Sequence, residues 1–213
     1  MGCTAAAIFA SILTLIAASI NLTSVLLVLW SADSLVFIGL FAFCFNNVCF
    51  TYHTSQGVCG YLDSREIEVA LSLFEAYFKF SSPLIEFLEN SCGWVGYITL
   101  GFGVLTAVIG FIAFITSLCV SCCRTVVFVL TLVASVANML TWVFWLVQMA
   151  PLREYGLTPG VSFAMNVVSN VFFLISALLL RRQFSRKVQD LLDPIMGRNK
   201  GRQCGGYGSK LER

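Results

Sequence analysis

Charged residues are scarce in this chain, since Lys, Arg, Asp and Glu make up only 11% of its 213 residues. An average soluble domain holds about 25% charged residues, so this composition excludes an ordinary soluble fold. Histidine occurs once, as His53. No metal-ligand cluster, nucleophile motif or phosphate-binding glycine loop accompanies it, although an enzyme needs several titratable groups that converge in one pocket. We therefore expect no enzymatic activity, no cofactor, no metal and no nucleic-acid partner.

Hydrophobic residues make up 58% of the chain and are concentrated in four runs without a charged residue. The runs cover residues 3–30, 94–119, 125–149 and 161–180. A helix needs about 20 apolar residues to cross the hydrocarbon layer, and as a helix such a run satisfies its own backbone hydrogen bonds in lipid. The predicted fold class is an all-α membrane protein with four transmembrane helices. We expect the first run to be retained, because no basic residue precedes it as in a signal peptide.

Charge is distributed unequally between the segments that connect these runs. The segment 31–93 has seven acids against two bases, a net charge of −5, whereas the tail 181–213 has nine bases against three acids, a net charge of +6. Because Lys and Arg accumulate on the cytoplasmic side, we expect both termini in the cytoplasm. The resulting order is a span at 1–30, an outer loop at 31–93, a span at 94–119, an inner turn at 120–124, a span at 125–149, a short outer loop at 150–160, a span at 161–180 and a basic tail at 181–213.

Four cysteines fall in the long outer loop, where disulfides persist. Residues 35–53 are rich in aromatic and β-branched side chains and predict strand–turn–strand, with Asn46-Asn47 as the turn. That register places Cys44 opposite Cys49, with Cα atoms about 4.5 Å apart, within the range of a disulfide. Cys59 and Cys92 then pair with each other, the favoured one of three connectivities. The fold prediction thus includes a small disulfide-stapled extracellular β-hairpin or sheet, together with an extracellular helix.

The same loop also predicts helical structure. Residues 64–80 form an amphipathic pattern, and Pro83–Asn90 resembles a short helical lead-in to the second span. We favour packing of the amphipathic helix on the small sheet or the membrane surface over docking of a partner, and a solvated outer face over a cation-attracting surface. The residues that would form such a partner or cation surface are Glu66, Glu68, Phe74, Glu75 and Phe78.

At the inner membrane edge, Cys119, Cys122 and Cys123 precede Arg124. Such a cluster is a candidate for palmitoylation. The CxxC spacing of Cys119 and Cys122 also fits a redox pair, but no other active feature lies nearby. We favour acylation, or no role, over redox chemistry.

Small and polar residues recur every three or four positions along each span, which keeps them on one helix face. We predict one compact bundle in which Asn21, Asn138, Asn166 and Asn170 face inward and pair. An ion path is the alternative, but no intramembrane charge accompanies these residues, and interhelical hydrogen bonds of about 0.6 kcal/mol each are favoured. In the tail, residues 184–195 form a basic amphipathic segment that can lie on anionic lipid.

The segment after the first span resembles the first-loop signature of the claudin superfamily. Trp30 is followed by Gly39, Leu40, Phe41, Cys44 and Cys49, in the family's order of Trp, Gly-Leu-Trp and two cysteines. Phe41 replaces the family's second Trp, and the gap between the cysteines is shorter than in vertebrate claudins. Four spans, inside termini and a long first outer loop match as well. The pattern also resembles that of fungal members of the superfamily.

The resemblance implies a plasma-membrane protein with a structural or adhesive role at cell contacts or membrane domains. Its first outer loop would mediate self-association in cis or trans, or contact with another membrane protein, and its partners would include membrane lipid. The C-terminal Leu-Glu-Arg does not match the hydrophobic PDZ ligand of claudins. The alternative is a cation channel, a paracellular cation pore or a channel-regulating subunit, including one for calcium uptake, because a loop charge of −5 would concentrate cations.

Overall fold

The computed structural model describes residues 5–32, 36–45, 48–54, 57–62, 81–118, 124–153 and 157–195. Within these ranges, four helices are long and apolar enough to cross a membrane: Ala6–Leu26, Trp94–Leu118, Thr125–Gln148 and Val161–Arg181. They coincide with the four predicted spans to within a few residues at each end, so the chain is a multi-pass membrane protein.

The secondary structure alternates between these helices and short elements that connect them. The order is α1 (Ala5–Leu26), β1 (Ser31–Ala32), β2 (Val36–Ile38), β3 (Ala42–Phe45), β4 (Val48–Thr51), α2 (Val58–Leu62), α3 (Ser81–Cys92), α4 (Trp94–Leu118), α5 (Arg124–Gln148), α6 (Ala150–Arg153), β5 (Thr158–Pro159) and α7 (Val161–Ile195). Helix α7 continues beyond the span, so the predicted basic amphipathic segment is an extension of the fourth membrane helix.

The four long helices form a closed ring in which α1 contacts α4 and α7, and α5 contacts the same two helices. Lipid provides no hydrophobic driving force for the pairing of apolar helices, so the helices associate through van der Waals packing. Small side chains allow the close approach that this packing requires. At the centre, Ala17, Ala18 and Ala134 pack against Phe173, and all four are 0% exposed. The predicted stripe on α4 is confirmed as its packing face: Gly96, Thr99, Gly103, Ala107 and Gly110 are buried.

A five-stranded antiparallel sheet in the order β4-β3-β2-β1-β5 caps one end of the bundle, which we call the sheet end. Within it, Cys44 pairs with Cys49 and Phe45 with Val48, the predicted hairpin register. The pairing of β1 with both β2 and β5 was not predicted. Strand β5 lies in the second connecting loop, so both loops at this end belong to one sheet.

The predicted lead-in to the second span is confirmed as helix α3, which is longer at both ends than residues 83–90. The predicted helix at 64–80 and the turn at Asn46-Asn47 lie outside the described residues. Sheet, α3 and bundle share one hydrophobic core, formed by Val25, Trp30, Ile38, Leu40, Phe43, Tyr52, Phe87, Leu88, Trp145, Met149 and Leu152. The sheet is therefore an integral part of the bundle end.

Gly110 on α4 faces Ala18 of α1 and the ring of Phe173 at the centre of the bundle, which leads to a first prediction. A Cβ at Gly110 would lie 2.9 Å from both the Cβ of Ala18 and the Cζ of Phe173. Gly110→Val should therefore destabilise the bundle by roughly 1–3 kcal/mol, the usual cost of overpacking. Gly101→Val is the matched control, because a Cβ at Gly101 meets nothing within 4 Å. Thermal unfolding of the purified variants in detergent measures the difference, and equal melting temperatures would contradict this packing.

Candidate functional site

Trp30 occupies the junction between the first span and the sheet. Its side chain is 0% exposed, and its indole centroid lies 5.3 Å from that of Trp145 and 6.1 Å from the ring of Phe163. The indole Nε1 donates to the Ser24 carbonyl at 2.6 Å, which satisfies the one polar atom of the side chain. The backbone of Trp30 donates to Ile38 at 2.9 Å and accepts from Gly160 at 2.7 Å. One residue thus joins α1, α5, α7 and the sheet.

The other residues of the predicted motif divide into buried and exposed positions. A Cβ on Gly39 would lie 2.6 Å from the Cα of Val28, so only glycine permits this approach of two backbones. Leu40 is buried at 4% exposure, whereas Phe41 is 37% exposed. Gly39 and Leu40 therefore hold the sheet on the bundle, and Phe41 presents an aromatic ring at the surface.

Two disulfides close this domain, and they join the pairs that the sequence favours. Cys44 is bonded to Cys49 across the β3–β4 hairpin, with a Cα–Cα distance of 3.9 Å. Cys59 is bonded to Cys92, with a Cα–Cα distance of 5.3 Å. The second bond connects α2 to the end of α3, directly before α4 begins. It therefore ties the loop to the second span.

His53 lies beside the second disulfide. Its ring stacks on Tyr97 at a centroid distance of 4.2 Å, and its Nδ1 is 3.7 Å from the Cys59 Sγ. Among the described residues its buried Nε2 finds no hydrogen-bond partner. Burial lowers the pKa of His53 and raises the pKa of the fully buried Tyr52 phenol far above its usual range, because desolvation penalises the charged form of each.

Asparagines connect three of the four spans. Asn21 Nδ2 donates to Asn138 Oδ1 at 3.2 Å, and Asn138 Nδ2 donates to the Asn166 carbonyl at 3.1 Å and to the Ser169 hydroxyl at 3.4 Å. Ser169 in turn donates to the Ala17 carbonyl at 2.8 Å. The predicted inward orientation and pairing are confirmed, and we call these residues the asparagine cluster: Asn21, Asn138, Asn166 and Ser169.

Further polar contacts lie above and below the asparagine cluster. The hydroxyls of Thr14 and Ser176 are 2.7 Å apart, and Ser135 donates to Asn170 Oδ1 at 2.6 Å, which confirms the predicted pairing of Asn170. At the sheet end, Gln148 Nε2 donates to the Ser91 hydroxyl at 2.6 Å. This link between α5 and α3 was not predicted. Gln148 is a polar residue at the end of an apolar run, and burial of its side chain is the property that the pattern does not reveal.

Several predicted site residues lie outside the described ranges: Glu66, Glu68, Phe74, Glu75, Phe78, Cys119, Cys122 and Cys123. Their proposed roles stay predictions. Across the part of the chain that the structure describes, no three His, Cys, Asp or Glu side chains gather in a group that could hold a metal ion. What the described site offers is hydrogen bonding and apolar packing.

No protein family model matches the chain, and no curated protein matches it either.

The asparagine cluster generates a second prediction. Asn138→Leu removes hydrogen bonds to Asn21, Asn166 and Ser169, at a total cost of roughly 2 kcal/mol for three bonds of about 0.6 kcal/mol. Asn170→Leu is the matched control. Among the described residues the Asn170 side chain bonds only to Ser135, and loss of that bond should cost about 0.6 kcal/mol. Unfolding in mixed micelles, followed by tryptophan fluorescence, separates the two. An Asn138→Leu variant as stable as the parent would contradict a stabilising role.

His53 generates a third prediction. Because its pKa is lower in the folded state than the unfolded value near 6.5, the unfolded chain binds the proton more readily. The contribution of His53 to stability is therefore complete above about pH 6.5 and is lost as the pH falls through the folded pKa. We expect a lower melting temperature at pH 5.5 than at pH 7, before the carboxylates titrate near about pH 4. His53→Gln should abolish this difference; a difference that persists in the variant would assign it to another group.

Proposed function

We propose that this chain is a claudin-like plasma-membrane protein with a structural or adhesive role at cell contacts or membrane domains. The five-stranded sheet with helices α2 and α3, together called the sheet domain, would bind a second copy in cis or trans, or another membrane protein. The observation that carries the proposal is the continuous core between sheet and bundle, with Trp30 at its centre. A recognition surface held this way is already ordered before binding, so association costs less conformational entropy.

The orientation in this proposal places the sheet domain outside the cell. Its support is the strong excess of Lys and Arg in residues 181–213, which favours a cytoplasmic tail. The two disulfides also support it, because such bonds persist on the extracellular side and are rare in the cytosol.

An exposed aromatic ring gives the sheet domain a candidate contact point. Phe41 lies between β2 and β3 with 37% of its surface exposed, although its neighbours Leu40 and Ala42 are buried. Aromatic residues are enriched at the centres of protein interfaces. We assign Phe41 to the contact surface for this reason, together with the predicted surface of residues 64–80.

Packing of the bundle disfavours the alternative of a cation channel formed by one copy. The centre of the helix ring is filled by Ala17, Ala18, Ala134 and Phe173. The buried residues of the described spans include no Lys, Arg, Asp or Glu, and such charges mark most ion pathways in membranes. A conductance would therefore need several copies around a shared pore, or another protein that the chain regulates.

The fourth prediction tests adhesion by mixing two cell populations that express the full chain with different fluorescent tags. We expect enrichment at contacts between two expressing cells and none at contacts with non-expressing cells. Phe41→Ser should reduce this enrichment several-fold. Glu86→Gln is the control, because Glu86 is also exposed but lies on α3, away from the β2–β3 connection.

Uniform distribution along contacts between two expressing cells would contradict adhesion in trans. Planar bilayers with the purified chain address the alternative. A cation current that is lost when Glu66, Glu68 and Glu75 are changed to Gln would favour conduction over a structural role.

A further inference from the structure

A cavity of about 280 Å³ opens at the sheet end of α5. Its lining includes no residue of the asparagine cluster and no cysteine of either disulfide. It is formed by the end of α5, the segment after it and the edge of the sheet. The lining residues are Ser31, Trp145, Leu146, Met149, Arg153, Leu157, Thr158 and Pro159. Neither the core around Trp30 nor the adhesive role proposed above requires a cavity here.

The cavity lies where the hydrocarbon layer meets the lipid headgroups. The span in α5 ends at Gln148, and Leu146, in its last turn, is 41% exposed on the outside of the bundle. Trp94 and Tyr97, at the start of the neighbouring α4, are 67% and 57% exposed, as is typical of aromatic residues at the membrane–water boundary. The ring of Trp94 lies 6.4 Å from that of Phe144, so the boundary aromatic residues of α4 lie beside the last turns of α5, next to the cavity.

The walls of the cavity change in character across this boundary. On the membrane side the lining is apolar, with Trp145, Leu146 and Met149. On the far side it contains Arg153 and Thr158, both exposed. Arg153 forms neither an ion pair nor a hydrogen bond with any other described residue. A guanidinium group can form two parallel hydrogen bonds to a phosphate, a geometry that arginine fits well.

The volume indicates what kind of molecule fits. Pockets that enclose a whole small ligand have volumes of about 300 Å³ or more. A cavity of about 280 Å³ therefore suits one part of a larger molecule. A phospholipid has the required parts, since its phosphate is joined to acyl chains that continue along the apolar exterior of the bundle. Inorganic phosphate would use Arg153 but leave the apolar wall empty, and a hydrocarbon chain alone would leave Arg153 unused.

We propose that this cavity binds one phospholipid, with its phosphate on Arg153 and the start of one acyl chain against Leu146 and Met149. The inference rests on the cavity and its position in the membrane, and it stands or falls independently of adhesion. Bound there, the lipid contacts β5 and α5 together, and therefore holds the edge strand of the sheet against the bundle.

The fifth prediction is tested by native mass spectrometry of the full chain in detergent with added phosphatidylglycerol. We expect a one-to-one adduct that Arg153→Gln weakens roughly tenfold or more, the usual effect of losing hydrogen bonds to a charged group. Arg181→Gln is the matched control: Arg181 is also an exposed arginine, but it lies at the opposite end of the bundle. Equal losses in both variants, or none in either, would overturn the proposal.

Further experiments separate the contribution of the phosphate to binding from that of the acyl chains. Diacylglycerol has the acyl chains without the phosphate, so its adduct should be at least roughly tenfold weaker and insensitive to Arg153→Gln. Inorganic phosphate in excess should leave the lipid adduct unchanged, because it cannot use the apolar wall. Thr158→Trp narrows the cavity from an exposed lining position and should weaken the phospholipid adduct while leaving the melting temperature of the lipid-free protein unchanged. Diacylglycerol binding as tight as phosphatidylglycerol, or full competition by phosphate, would contradict a phospholipid site.

Discussion

The indole of Trp30 lies between the bundle and the sheet, and its contacts determine how the two are joined. It fills the space between Trp145 and Phe163, while its backbone forms hydrogen bonds with Ile38 and Gly160. Removing the ring would leave a cavity at the point where both loops of the sheet end converge. Three other features depend on this packed junction, because in each of them a backbone segment lies directly against it. They are the order of the strands, the approach of Gly39 to Val28 and the position of β5.

Much of the architecture could be predicted, because lipid imposes simple constraints. The length of an apolar run determines whether it spans, and small residues at intervals of three and four identify the packing face. The hairpin register also followed from a local rule, since a two-residue turn places Cys44 opposite Cys49. In contrast, β1 and β5 contain two residues each, too few for a periodic pattern. Their pairing joins residues that are distant in sequence and depends on where the first and fourth spans emerge from the bundle.

For the site, local chemistry could be read from the sequence but burial could not. Asn21 and Asn138 were predicted to face inward and pair because they lie on the stripes of small and polar residues of their helices. Trp30, Gly39 and Leu40 were predicted as motif residues, and the structure gives each a packing role. Gln148 and Arg153 were missed, since one polar side chain at the end of an apolar run resembles any other until its neighbours are known.

The pairing of β5 with β1 also has a consequence for biosynthesis. Ser31 and Ala32 leave the ribosome early, whereas Thr158 and Pro159 follow only after the third span. Because membrane proteins, like other large chains, begin to fold while they are being made, one edge of β1 must wait unpaired for most of synthesis. An uncovered strand edge is a site of mispairing and aggregation. A chain that stalls before its last span would therefore display this edge, which makes completion of the sheet a natural checkpoint for assembly.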